Sequence, residues 1–129
     1  MYYIDTSAAA KLIIGEPESA PLAGYLDGLA AEETPIASSM LLETELRRIA
    51  VRGDFEQAWV SAVLARFDLY ESPRSLYHEA GLLPGRRLRT LDALHLALAV
   101  RLGAEAILTY DSRQTSAAQS LGLMVIAPF

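Results

Sequence analysis

The sequence predicts an α/β domain with a mostly parallel central sheet of four to five short strands, covered by helices on both faces. Three observations lead there. Apolar runs of three or four residues recur along the chain, and the segments between them carry apolar residues at helical spacing. The 129 residues, 52% hydrophobic and 21% charged, suit one well-filled core rather than a disordered chain. Residues 1–129 are therefore expected to form a single domain, and no internal repeat, low-complexity tract or linker interrupts them.

Tyr2-Tyr3-Ile4 reads as the first strand and delivers Asp5 to its C-terminal tip. Thr6-Ser7 is expected to cap a helix over 8–14, stopped by Gly15. Glu16-Pro17-Glu18 opens a second helix, with Leu22, Leu26 and Leu29 on one buried face, before Pro35-Ile36-Ala37 offers a brief strand. Ser38 or Ser39 then caps a helix from Met40 to about Val51, closing at Gly53. Residues 55–67 carry another amphipathic pattern through Trp59, Val63 and Phe67, and Leu69-Tyr70 is a candidate short strand. The aromatic residues Tyr2, Tyr3, Trp59 and Phe67 are expected in the core or an interface, since they do not alternate with basic residues as a base-stacking platform would. Pro73 opens a helix ending near Gly81, followed by a loop with Pro84, Gly85, Arg86, Arg87 and Arg89. Thr90 is expected to cap the helix over 91–100, which is apolar almost all round and so must be buried on most sides. Ala106-Ile107-Leu108-Thr109 is a strand leading to Asp111, 116–121 a helix, and Leu123-Met124-Val125-Ile126 the last strand.

Composition excludes several functions. No apolar run reaches the roughly 18 residues of a membrane helix, and Met1 leads into Tyr2-Tyr3-Ile4-Asp5 without a basic stretch, so a cytoplasmic protein is expected. With no cysteine and two histidines there is no thiolate site and no histidine-rich one. Any metal must be held mostly by carboxylates. The net charge of −5, from 16 acidic residues against 11 basic ones, argues against a nonspecific polyanion binder.

The acids explain that charge. Asp5 and Asp111 each follow an apolar strand, where ligands of such sheets bind. Asp92 stands on an otherwise apolar helix, where an unpaired carboxylate is costly; its bland explanation is an ion pair with Arg89 one turn away. Glu43 and Glu45 point to opposite sides of their helix at about 100° per residue. Glu45 falls within the apolar arc of Leu41, Leu42, Leu46 and Ile49, and Glu43 falls beside Arg47, so Glu45 is the candidate. Carboxylates converging in a wet cleft repel one another, and Mg²⁺ or Mn²⁺, which favour oxygen ligands, relieve that repulsion. Phosphodiester hydrolysis is the chemistry this suits. Taking away these four acids would leave a charge of −1.

Four segments together resemble the PIN-domain ribonucleases, and within them the toxins of VapBC toxin–antitoxin systems. They are Tyr3-Ile4-Asp5-Thr6-Ser7-Ala8; Ser39 followed by Glu45-Leu46 and Arg48; Leu91-Asp92-Ala93-Leu94-His95-Leu96-Ala97; and Leu108-Thr109-Tyr110-Asp111-Ser112-Arg113, with a closing Gly122-Leu123 strand. The resemblance implies a PIN-like α/β fold and Mg²⁺- or Mn²⁺-dependent endoribonuclease activity with metal held by Asp5, Glu45, Asp92 and Asp111. It further implies a cognate antitoxin and a homodimer, for which the apolar first half of the chain, with its aromatic start, could supply the surface. Beside the acids, Thr6 and Ser7 either cap a helix or orient the Asp5 carboxylate. His95 is expected to be a hydrogen-bonded core residue. Arg86, Arg87, Arg89 and Arg113 are candidates to touch RNA, against the plainer reading of a solvated loop. The rivals are a non-catalytic PIN-like module acting through its antitoxin, and a phosphoacceptor receiver domain. The second would want a lysine after its last strand, and the sole lysine is Lys11.

Overall fold

The computed structural model describes residues 1–129. Five strands form one sheet: β1 (Tyr2–Ile4), β2 (Ile36–Ser39), β3 (Asp68–Tyr70), β4 (Ala106–Leu108) and β5 (Met124–Ile126), in the order β3-β2-β1-β4-β5. Every neighbouring pair is parallel, with Tyr3 opposite both Ala37 and Ile107. The helices are α1 (Thr6–Ala9, continued by a 3-10 turn over Ala10–Leu12), α2 (Ser19–Ala31), α3 (Leu41–Gly53), α4 (Gln57–Leu64), α5 (Arg74–Gly81), α6 (Thr90–Arg101) and α7 (Ser112–Ser120).

Parallel strands need crossovers, and alternation of side chains along each strand splits the core in two. Ile4, Ile36 and Leu108 face α1 to α4, packing with Leu22, Leu26, Leu42, Leu46 and Val60. Tyr3, Ala37 and Ile107 face α5 to α7, packing with Leu76, Leu94, Leu96, Leu98 and Ala118. Helix α6 buries seven consecutive residues, 93–99, as its apolar circumference requires. The chain steps outward from β1 to β3 and then returns across the sheet to β4, so strand order reverses between β1 and β4. The carboxyl ends of these two strands mark the crevice position at which open α/β sheets bind ligands.

Three helix starts differ from expectation. Asp5, not Thr6-Ser7, caps α1, its carboxylate accepting the Ala8 N–H at 3.1 Å. Asp111 caps α7, accepting from the N–H groups of Arg113 and Gln114, so that helix begins at Ser112 rather than 116. A carboxylate right after a strand reaches the first free N–H groups of the following turn, and the helix can start there. Thr90 begins α6 without a side-chain cap, Arg89 being the boundary residue. In α3 the Ser39 hydroxyl does accept the Leu41 N–H, at 3.0 Å.

Of the two places expected for Trp59, core or interface, the core is excluded. Trp59 is 54% exposed, while Val60, Val63 and Phe67 fill the core, and its indole N–H donates to the Leu12 carbonyl at 2.8 Å. Tyr3 is fully buried on the central strand, while Tyr2 beside it stays partly exposed.

Candidate active site

Asp5 lies at the tip of β1 and is 2% exposed. One carboxylate oxygen accepts from the Ser7 hydroxyl at 2.7 Å and from the Ala8 N–H; the other accepts from the Thr109 hydroxyl at 2.5 Å. Burial pushes this carboxyl above the usual range, and the Thr109 and Ser7 hydrogen bonds oppose the push. Thr109 also accepts the Asp111 N–H at 3.1 Å, and Ser7 accepts the Tyr110 N–H at 2.9 Å. The two hydroxyls thus fasten the tip of β1 to the loop after β4, where Asp111 stands.

Glu45 reaches the crevice from α3, and its carboxylate lies 2.8 Å from His95 Nε2. Glu43 turns the other way and pairs with Arg47 at 3.2 Å. His95 is 1% exposed, with the Tyr3 hydroxyl 2.7 Å from Nδ1 and the Thr6 hydroxyl 3.2 Å from Nε2. Burial holds the Tyr3 hydroxyl protonated, its pKa pushed far above the usual range. One tautomer satisfies these partners: Tyr3 donates to Nδ1, and Nε2–H donates to Glu45. Thr6 therefore belongs to His95, not to Asp5 as expected from its place in the chain.

Asp92 sits one turn before His95 in the first turn of α6, partly exposed to the crevice. Gln114 of α7 donates to its backbone carbonyl at 3.1 Å, joining α6 to the helix capped by Asp111, while the Gln114 amide oxygen is buried without a donor. Burial first, then the charges of Asp111 and Asp5, raise the Asp92 carboxyl above its usual range, and Glu45 adds to the effect. The alternative ion pair with Arg89 does not form. No lysine or arginine lies within ion-pair distance of Asp5, Asp92, Asp111 or Glu45; His95 is the one basic side chain among them. Four carboxylates thus feel one another's charge without a fixed counter-charge.

The donor set fits a hard divalent cation: it is all oxygen, negative and partly wet. No three of these groups close around a single point in the present side-chain arrangement. The fit rests on donor chemistry and the missing counter-charge.

The sequence profile of the PIN domain matches residues 2–119. Ribonuclease VapC46 of Mycobacterium tuberculosis is 40% identical over 129 residues, covering 98% of this chain and 96% of that protein. Ribonuclease VapC35 of the same organism is 41% identical over 134 residues, covering 99% and 97%. The chain belongs to the PIN-domain family, among the VapC ribonucleases. The same PIN fold is found in the VapBC2 complex of Rickettsia felis, solved bound to a DNA fragment from its promoter. That structure superposes with a TM-score of 0.75 at 17% identity, covering 99% of this chain and 98% of that one.

Sequence reasoning missed three residues of this PIN domain's crevice. Thr109 was assigned only to its strand, Tyr3 to the core, and Gln114 to no element. The partners they meet lie far away in the chain, 104 residues for Thr109 and Asp5, 92 for Tyr3 and His95, so no local pattern marks them. His95 did carry a signal, its place one turn after Asp92. The four arginines divide: Arg86, Arg87 and Arg113 share one cavity, while Arg89 lines another with Tyr77, Leu83 and Leu94.

Proposed function

We propose that this PIN domain acts as one unit over 1–129, an endoribonuclease cutting RNA internally with Mg²⁺ or Mn²⁺ held by Asp5, Glu45, Asp92 and Asp111. It is the toxin of a toxin–antitoxin pair, restrained by a cognate antitoxin and dimeric in solution. The relatives named ribonucleases support the reaction, and the VapBC2 likeness agrees with the pairing. The observation that carries the metal is geometric: Asp5, Glu45, Asp92 and Asp111 have no lysine or arginine within ion-pair distance, His95 at Glu45 being the one basic group among them.

Ser7 and Thr109 each donate to one oxygen of the Asp5 carboxylate and so hold its orientation. His95 presents Glu45, and Tyr3 sets the imidazole tautomer that does so, the arrangement by which outer groups orient ligands. A bound divalent cation would supply a more acidic water and stabilise charge on the phosphate being displaced. Neither histidine is then needed as a base, consistent with His95 being buried and engaged on both nitrogens. The non-catalytic module has no observation in its favour. Nor does the crevice offer a receiver's lysine.

Incubating the purified protein with total cellular RNA, with Mn²⁺ or with EDTA, and mapping new ends tests the proposal. Discrete internal ends that appear with metal and vanish with EDTA are expected. Intact RNA under both conditions, or cleavage indifferent to EDTA, overturns it.

A further inference from the structure

Three of the ten arginines of this acidic chain are in ion pairs and seven are not, and of those seven three share one cavity. Arg47, Arg66 and Arg101 each pair with a carboxylate, of Glu43, Asp27 and Glu79 respectively. Arg86, Arg87 and Arg113 pair with none, although acids outnumber bases by 16 to 11. These three converge on one cavity of about 440 Å³ between the loop after α5 and the outer face of α7. Ser112, Ser116 and Ser120, spaced by four on α7, add three hydroxyls to its wall. No acidic residue lines it.

Such a cavity selects its ligand. Three guanidinium groups without a carboxylate keep a net positive charge that only an anion satisfies, and the planar guanidinium fork matches phosphate oxygens in particular. The Ser112 and Ser116 hydroxyls add neutral donors that suit a phosphodiester, while that of Ser120 donates to the Ala117 carbonyl at 2.7 Å. Gly85, at φ 112° in the region side chains rarely adopt, turns the loop that brings Arg86 and Arg87 to face α7. Location gives the source of the phosphate. Ser112 lines the cavity and directly follows Asp111, the acid that caps α7, so the cavity flanks the proposed site where an RNA strand would lie. The crevice itself repels a polyanion until its acids are neutralised.

We propose that this cavity holds a backbone phosphate of the RNA strand, next to the one cleaved, and supplies binding that does not depend on metal. The proposal rests on the ribonuclease reading. It separates Arg86, Arg87 and Arg113, which act as one phosphate subsite, from Arg89, which lines the apolar cavity on the other side of the loop.

The test measures binding of a labelled single-stranded RNA of mixed sequence in EDTA over a salt series, alongside cleavage with Mn²⁺. Joint replacement Arg86→Gln, Arg87→Gln and Arg113→Gln should weaken RNA binding roughly tenfold or more. It should also flatten the slope of log K against log salt by about 0.7, the contribution of one neutralised phosphate in a single strand. Ser116→Glu, an exposed change that keeps all three arginines, should weaken binding in the same direction, and Arg52→Gln, an unpaired arginine at the end of α3, should not. With metal the triple variant should raise KM and leave kcat within about twofold, the signature of binding equal in ground and transition states. An unchanged slope in the triple variant with wild-type cleavage intact overturns the subsite and leaves the ribonuclease reading standing. Loss of antitoxin binding with RNA binding intact also overturns it, assigning the cavity to an acidic protein segment. Protection of the cavity by inorganic phosphate without effect on RNA binding marks an adventitious anion site and does the same. If wild type cuts no RNA under any condition, the ribonuclease reading itself falls.

Discussion

Asp92 keeps a carboxylate at the start of α6 with acids around it and no arginine beside it. Neutralising it should relieve repulsion in the metal-free protein. Asp92→Asn is therefore expected to abolish cleavage yet leave metal-free stability at neutral pH unchanged or higher. Mg²⁺ or Mn²⁺ should raise the melting temperature of wild type more than that of the variant, since a ligand of the native state stabilises by mass action. A loss of several kcal/mol, as when a buried ion pair is broken, together with no metal effect on either protein, would make Asp92 a structural residue. The two glutamates of α3 give a second contrast. Glu45→Gln should remove cleavage, and Glu43→Gln, which loses only a partly exposed pair with Arg47 worth roughly 0.5 kcal/mol or less, should keep most of it. Equal activity of the two variants would show that the His95 contact does not serve the reaction.

At the scale of elements, the site depends on how β1, α3 and α6 meet. Tyr3 on the central strand touches His95 on α6, which touches Glu45 on α3, and the chain of contacts spans three elements brought together by the sheet. Tyr3→Phe deletes the donor to Nδ1 and leaves a buried ring nitrogen unpaired, at a cost of about 1–3 kcal/mol. It should also weaken metal binding about 10- to 100-fold, the usual effect of removing an outer partner of a ligand. Calorimetric titration with Mn²⁺ separates the two effects. A stability loss with unaltered metal affinity would confine Tyr3 to the core.

For the whole molecule, Asp5 and Asp92 both have raised carboxyl pKa values. The folded protein then holds protons that the unfolded chain has already released, so metal-free stability is fullest below the ordinary carboxylate range and falls as pH rises through the folded values. Urea midpoints measured in EDTA across that range should decline with pH, and saturating Mg²⁺ should remove the decline. A midpoint that climbs with pH would mean that hydrogen bonds to the ionised acids outweigh burial and repulsion. Light scattering should report twice the 14.0 kDa of the chain; a monomer at all concentrations removes the dimer. No helix is long and apolar enough to cross a membrane.

The sequence by itself determined what local periodicity and local chemistry can carry. The five strands, the buried face of α2, the all-round burial of α6, the acids at the tips of β1 and after β4, and the opposite directions of Glu43 and Glu45 follow from side-chain spacing over a few residues. Only the tertiary structure decided which strand tips are neighbours. That depends on strand order, and the reversal between β1 and β4 joins Asp5 to Thr109 across 104 residues. The same long-range packing gave Thr6 to His95 rather than to Asp5, exposed Trp59, buried Tyr3, and set Arg89 apart from Arg86, Arg87 and Arg113. Helix boundaries moved for a related reason: a cap is chosen by whichever side chain reaches the first free N–H groups, and at α1 and α7 the carboxylates Asp5 and Asp111 leave the strands already in reach.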